Sequence, residues 1–385
     1  MRSREPFLLD PDVVLLNHGS FGATPAPVFD EYQRLQLEME RQPVRWLQRE
    51  ADDRLAVARA ALASYVGCDA DELVYFPNPT QAINMVVRSL HLARGDEVLT
   101  TDHEYGAMDR TWRVVCAEAN ARYVQAHIPV PLPPADEVVE RIWAGVTSRT
   151  KVLFISHITS ATAVRFPVEE LVRRANEAGI ITIVDGAHVP GHIPLDVRAV
   201  GADFYTGANH KWLCAPKGST FLYARRDVQP MLKPLVVSWG WESLNPSGST
   251  FIDHHEWQGT RDLAPFLATP AAIEWTQAQG WAAQQQRSHD MVAAAIARVA
   301  ALTGLPSMYP DDGFAWFGQM AVALLPDVDV VALKAALYDE FCVELPVHRF
   351  ADQPMLRISI AAYNDESDID ALIGALTALL PQLAG

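Results

Sequence analysis

The chain has 385 residues, 49% of them hydrophobic and 20% charged, with a formal net charge of −16. That length buries a large core and predicts one big domain with a smaller companion. The acidity excludes nucleic acid or an anionic membrane as the main partner, because a polyanion is repelled, although a small anionic ligand feels only local charge.

The first residues, MRSREPFLLDPDVVLLNHGS, hold no apolar signal core followed by a small-residue cleavage site. No run approaches the ~20 apolar residues of a membrane helix. Residues 25–66 read as helical, with a break at Pro43. Strands and helices then alternate: ELVYF (72–76), the helix QAINMVVRSL, DEVLT, the helix MDRTWRVVCAEA, ARYVQAHI and a helix through VVERIWAGV. KVLFISHI (151–158) and IITIVDGA (180–187) are nearly continuous apolar strands, separated by the helix VEELVRRANEAG. Alternation with β-branched strands predicts a mostly parallel sheet covered by helices on both faces. Such sheets place ligands at the carboxyl ends of their strands. Long helices follow over 262–304, and ALTGLP marks a break into a smaller α+β unit. Its expected strands are GQMAVALL, CVELPV and MLRISIA, with helices around 329–340 and 367–380. Cys68, Cys116, Cys214 and Cys342 are widely spaced with no C-x-x-C pair, which fits neither a disulfide framework nor a zinc site. The expected location is cytoplasmic.

The segment 181–224 carries the chemistry. A buried strand ends in Asp185, a costly place for a carboxylate unless it meets a cation. Twenty-six residues on stand His210 and Lys211, after the strand-like ADFYTG. A lysine amine that forms a Schiff base, with a carboxylate that keeps a pyridine nitrogen protonated, is what pyridoxal 5′-phosphate requires. Of the other lysines, Lys151 starts a strand, Lys334 lies on a helix face, and Lys217 in APKGS is the main rival. FPNPTQAIN (76–84) runs from a strand through Asn78 and Pro79 into a helix opening at Thr80 and Gln81. Free backbone N–H groups, the positive end of the helix dipole and a hydroxyl suit a phosphate there, or serve simply to cap the helix. Tyr105, in TDHEYGA, stands at another strand end, where an aromatic face stacks on a pyridine ring or packs in the core. Asp185 with His188, His192 and His210, or Asp253-His254-His255-Glu256, would be the alternative metal sites. Neither has a helical H-E-x-x-H arrangement, and no metal is expected. Dinucleotide binding lacks its G-x-G-x-x-G.

These motifs resemble the class V aminotransferase family of fold-type I pyridoxal-phosphate enzymes, which includes cysteine desulfurases. Within it they are most similar to the isopenicillin N epimerase-like branch. The similarity runs from LLNHGSFGATP (15–25) to LRISIAAYN (356–364), with VDGAH…GANHKW the most specific part. It implies an α/β fold with a mostly parallel, seven-stranded-type sheet and a smaller C-terminal α+β domain. The implied division is an arm over the active site (1–24), a cofactor-binding domain (25–265) and a helical connection with the small domain (266–385). It implies Lys211 as Schiff-base lysine, Asp185 on the pyridine nitrogen, and His188 where the family often has Gln beside the phenolic oxygen. Thr80 and His210 would bind the phosphate. Thr260, in WQGTRD, would reach the neighbouring subunit's phosphate, which implies a homodimer. Tyr105 would stack on the ring, and Arg357 would pair with a substrate α-carboxylate through its planar fork. Asn17 and Gly19 lie in the loop that would cover the substrate.

The departures carry information too. Tyr105 stands where desulfurases often have His, and Ser160 near a common Asn. Ala208 replaces a phosphate-binding serine, which leaves Thr206 or Asn209 as expected donors. No cysteine lies between Cys342 and Arg357 to accept sulfur. The expected reaction removes the α-proton of an amino acid by Lys211. Collapse by β-elimination, including C–S cleavage, is placed ahead of epimerisation, with Tyr105 as opposite-face acid, and then of transamination. A non-catalytic protein of this fold is the alternative of another class. Further pocket residues expected are His18, Phe21, Arg45, Trp46 and 348–353.

Overall fold

The longest apolar runs of the sequence form the middle of one seven-stranded sheet in the computed structural model, which describes residues 6–383. Its strands are β1 (Leu73–Phe76), β2 (Glu97–Thr101), β3 (Arg122–Ala126), β4 (Thr150–Ser156), β5 (Ile181–Asp185), β6 (Phe204–Ala208) and β7 (Thr220–Ala224). Their spatial order is β1-β7-β6-β5-β4-β2-β3. The run from β6 to β3 is parallel throughout, whereas β7 pairs antiparallel with both β1 and β6. No expected element covers β7. Five residues between Gly218-Ser219 and Arg225 are too short for periodicity to declare a strand.

The covering helices include α1 (Ala26–Arg41), α2 (Ala51–Val66), α3 (Pro79–Ser89), α4 (Gly106–Ala119), α5 (Ala135–Trp143) and α6 (Val168–Glu177). Successive strand residues face opposite ways, and β4 shows the consequence. Val152 and Phe154 join the core with Ile83 and Val86 of α3 and Trp112 of α4. Leu153 and Ile155 join the other face with Leu171 and Val172 of α6. Each such fully buried side chain contributes about 1.5–3 kcal/mol, so a continuous apolar strand is stable only between two helical layers. The break expected at Pro43 falls there, since proline has no N–H to extend α1. A short turn, Pro43–Arg45, and a π-helical turn, Trp46–Glu50, lead into α2.

After α7 (Thr269–Ala278) and α8 (Trp281–Thr303) comes an antiparallel sheet of β8 (Met320–Leu324), β9 (Val347–Phe350) and β10 (Gln353–Ser359), in order β9-β10-β8. Helices α9 (Val330–Phe341) and α10 (Glu366–Leu383) accompany it. The run CVELPV, expected as one strand, divides at Pro346. Val343–Glu344 pairs parallel with Val14–Leu15, and β9 turns back on β10. The N-terminal segment is pinned here: Ser359 N–H donates to Leu16 O at 2.9 Å. Residues 17–22 are thereby carried beside Arg357 of β10. Of the domain bounds expected from sequence, residues 1–5 and 384–385 lie outside the described residues.

Candidate active site

Strands β2, β4, β5 and β6 end at the same edge of the sheet, and the residues after those ends line one cavity of about 310 Å³. Tyr105 follows β2; Ser156 and Ser160 come from the end of β4; Asp185 and His188 close β5; His210 and Lys211 follow β6. Thr80 enters from the first turn of α3, Ser20 and Phe21 from the N-terminal segment, and Arg357 from β10. The chain comes close enough here to need glycine. Gly22 has φ +70°, and a Cβ on it would sit 2.0 Å from the carbonyl of His210.

Two opposite charges are buried in this cavity without ionic partners of their own. Asp185 is 4% exposed, and its one hydrogen bond comes from the N–H of Ala187, at 3.0 Å. Burial raises its pKa. Arg357, equally buried, has no carboxylate within ion-pair distance among the described residues. It donates through Nη1 to the carbonyl of Ser160, and through Nη2 to Ser20 Oγ (2.8 Å) and Asn17 Oδ1 (3.3 Å), while Nε has no partner. Glu344 receives the Asn17 amide N–H, which turns Oδ1 toward the guanidinium. Burial pushes the Arg357 pKa down to about 10. Between these groups Lys211 Nζ lies 3.1 Å from His188 Nε2, its pKa brought down to about 8 by burial, against the opposing pull of Asp185. Unpaired buried charges cost several kcal/mol. A cavity that keeps one of each sign is suited to a ligand that brings a cationic atom to Asp185 and an anionic group to Arg357.

Not every expected residue meets at this point. Tyr105 lines the cavity, half exposed, with no side-chain hydrogen bond among the described residues. Ser160 and Asn17 hold Arg357, whereas Gly19 packs under Met320 and Ser359. The backbone N–H of Gln81 is already donated to the cap residue Asn78 (2.9 Å), and its side chain faces solvent. Thr206 donates its hydroxyl to the Phe221 carbonyl at 2.7 Å, inside the sheet, and Asn209 donates to Ser219. Thr260 lies in another hollow, of about 970 Å³, with Arg59, Trp239 and Glu256. Phe21 is in the cavity. His18 instead bonds the carbonyl of Lys211 (3.0 Å), Arg45 pairs with Glu50, Trp46 is core, and residues 348–353 line none of it.

The structure adds Ser20 and Ser156, and beneath them Glu104. That carboxyl accepts from Ser156 N–H (3.0 Å), Ser156 Oγ (2.6 Å) and Thr101 Oγ1 (2.8 Å). Burial, with the charge of Asp185 adding to it, raises its pKa to about 7. The signal for Glu104 was the one used for Asp185: an acid at the carboxyl end of a buried strand.

Pyridoxal 5′-phosphate fits these residues. Asp185 has an oxygen to spare for a pyridine N–H, Lys211 is a buried amine of lowered pKa, Tyr105 presents a ring, and Thr80 and His210 flank the start of α3. The aminotransferase class-V family model matches residues 15–372. The chain is 37% identical over 389 residues to isopenicillin N epimerase of Amycolatopsis lactamdurans, covering 98% of each chain. It is 27% identical over 406 residues to a probable L-cysteine desulfhydrase of Arabidopsis thaliana, covering 96% and 84%. Among solved structures, a cysteine desulfurase from Escherichia coli superposes with a TM-score of 0.81 at 23% identity, over 99% and 98% of the two chains. The fold is therefore that of the fold-type I enzymes, and pyridoxal 5′-phosphate is the cofactor. With a match over nearly its whole length and a cavity that fits the cofactor, the chain belongs to the class-V aminotransferase family of enzymes.

Proposed function

We propose that the protein is a pyridoxal-phosphate-dependent lyase that removes the α-proton of a β-substituted α-amino acid and releases the β-substituent, cleaving a C–S bond. The observation that carries this is Lys211: among the described residues it is the one lysine that lines the cavity, and no cysteine lines it. When bound, the cofactor supplies an electron sink that acidifies the α-C–H bond. Burial brings the Lys211 pKa down to about 8, so a fraction of its amine is free near neutral pH to accept that proton. Arg357 binds the α-carboxylate through two N–H groups, and Ser20 and Asn17 orient it. Asp185, its pKa raised by burial, would hold the proton of the pyridine nitrogen. His188 faces the amine, and Thr80 with His210 would hold the phosphate. Elimination needs only this one base. Among the described residues no cysteine lines the cavity: Cys116 and Cys214 are buried, Cys68 is half-buried, and Cys342 is exposed at the end of α9.

Epimerisation is the second reading, favoured by the ionisable phenol of Tyr105 in the same cavity and by relatives at 37% and 35% identity named isopenicillin N epimerase. Transamination ranks third. A panel of L- and D-amino acids, including cysteine conjugates and sulfoxides, separates them when pyruvate, keto acid and enantiomer are scored. Solvent deuterium in recovered substrate of inverted configuration, without pyruvate, would overturn the lyase reading.

We also propose a homodimer in which Thr260 serves the partner's phosphate. Val237, Trp239 and Leu244 leave an exposed apolar strip on the segment that borders the Thr260 hollow, which supports an interface there. Sedimentation as a monomer would refute it. The division into a cofactor-binding part (25–265), a covering N-terminal arm and a C-terminal part (266–385), and a cytoplasmic location, belong to the same proposal.

A further inference from the structure

Trp212 directly follows the reactive lysine, and the two side chains meet on one imidazole. The indole of Trp212 is fully buried between two other rings, His192 at 4.2 Å and His18 at 5.0 Å between centroids. Its Nε1–H points at Nδ1 of His188, 3.4 Å away, and Nε2 of that same ring lies 3.1 Å from Lys211 Nζ. An indole N–H only donates, so Nδ1 of His188 must accept and has no proton of its own. The ring is neutral: burial comes first, then the facing charges of Lys211 and Arg357 with His192 and His210, and all hold its pKa well below the ordinary histidine range. A neutral imidazole whose Nδ1 accepts carries its single proton on Nε2.

We propose that Trp212 is a positioning residue: it locks His188 in the Nε2–H tautomer and so keeps an N–H donor facing the amine of Lys211. Toward the cofactor, this rests on the function proposed above. The donor has a use in both conditions of the site. A free lysine amine offers it a lone pair, and a cofactor oxygen beside the lysine would accept it, whereas a lysine ammonium offers it nothing. His192, packed against the indole, holds the His188 backbone in place: its Nδ1–H donates to the His188 carbonyl (2.9 Å) while its Nε2 accepts from Gln319 N–H (2.6 Å). Phenylalanine at 212 would retain the packing but lose the N–H. Nε2 of His188 is then able to turn its lone pair toward Lys211, where it stabilises positive charge. Asp185 acts on the lysine in both cases alike.

The test reads the tautomer first. In ¹⁵N-histidine-labelled cofactor-free protein held above pH 9, where the Lys211 amine is free, His188 is expected to carry its proton on Nε2; a proton on Nδ1 there would overturn the proposal. The second reading is the pH midpoint of cofactor absorbance in the reconstituted enzyme. Trp212→Phe should raise it by about one pH unit, the scale of one charge-assisted hydrogen bond. His188→Gln, whose amide has no tautomer, should make the midpoint indifferent to Trp212→Phe. An equal shift with and without His188 would reduce Trp212 to packing and refute the idea. Should Trp212→Phe not fold, the wild-type spectrum still decides. Failure to bind any cofactor would count against the proposed function alone, because the tautomer is read without it.

Discussion

Replacing Arg357 by leucine removes the positive charge the cavity keeps unpaired, and its cost follows from the bonds on the page. Arg357 is 4% exposed, its Nη atoms rest on the neutral oxygens of Ser160, Ser20 and Asn17, and Nε has no partner among the described residues. A carboxylate that binds bidentately gains two charge-assisted bonds of about 1.5–3 kcal/mol each, less the neutral contacts it displaces. A net loss of about 3–4 kcal/mol corresponds to a fall in kcat/KM on the order of 10²–10³. The interaction holds the substrate equally before and during proton removal, so most of the loss belongs in KM. Folding stability should not fall, because no buried carboxylate loses its partner and the unpaired buried charge is itself a cost. Steady-state kinetics on the best amino acid of the panel, beside its decarboxylated analogue, makes the measurement. Arg357→Lys, which keeps charge but loses the fork, should fall between. A kcat/KM within threefold of wild type, or an equal loss on the analogue without a carboxylate, would refute the assignment.

Borohydride should fix cofactor to Lys217→Ala but not to Lys211→Ala, with mass spectrometry reading the adduct; fixation in the second variant would return the role to Lys217. Glu104 has a folded pKa raised to about 7 by burial, so its contribution to stability is complete below its unfolded value near 4.5 and lost as pH rises through 7. That loss is at most about 3 kcal/mol. Glu104→Gln should therefore gain on wild type in melting temperature between pH 5 and pH 8, and parallel curves would contradict this. The histidines have the opposite sign. His18, His157 and His192 are held near 3, and His210 and His255 near 4, by burial. Their contribution is full above pH 6.5 and lost as pH falls, at about 1.4 kcal/mol per proton per pH unit. Urea midpoints should drop steeply from pH 6 to 4; a flat profile would mean these rings are solvated. Finally, Cys342→Ser should leave turnover within twofold of wild type, since that thiol is exposed and outside the cavity; loss of activity would point to a sulfur-accepting role.

Much of the candidate site was legible because the chemistry it was read from is strict and local in sequence. Asp185 ends one buried strand and Lys211 stands three residues past another, and a parallel sheet delivers such strand ends to one edge. The apolar runs of β4 and β5 could be read for the same reason: burial on two faces leaves no polar alternation. β7 escaped because it is short, and CVELPV was read as one strand although Pro346 divides it.

What the sequence by itself determined was the set of groups: a lysine, an acid, a helix-opening turn and an arginine, each in a segment whose local pattern announced it. Only the tertiary structure decided their partners. Thr206 and Gln81 looked like donors, yet one hydroxyl is spent on a neighbouring strand and one N–H on a helix cap. The pairing of Asn17 and Ser20 with Arg357 spans more than three hundred residues, and that of Trp212 with His188 fixes a proton that no local pattern encodes. Periodicity reports which face of an element is buried. Which polar atom meets which across the core depends on how the elements pack, and there the cost of a buried, unsatisfied group makes the choice.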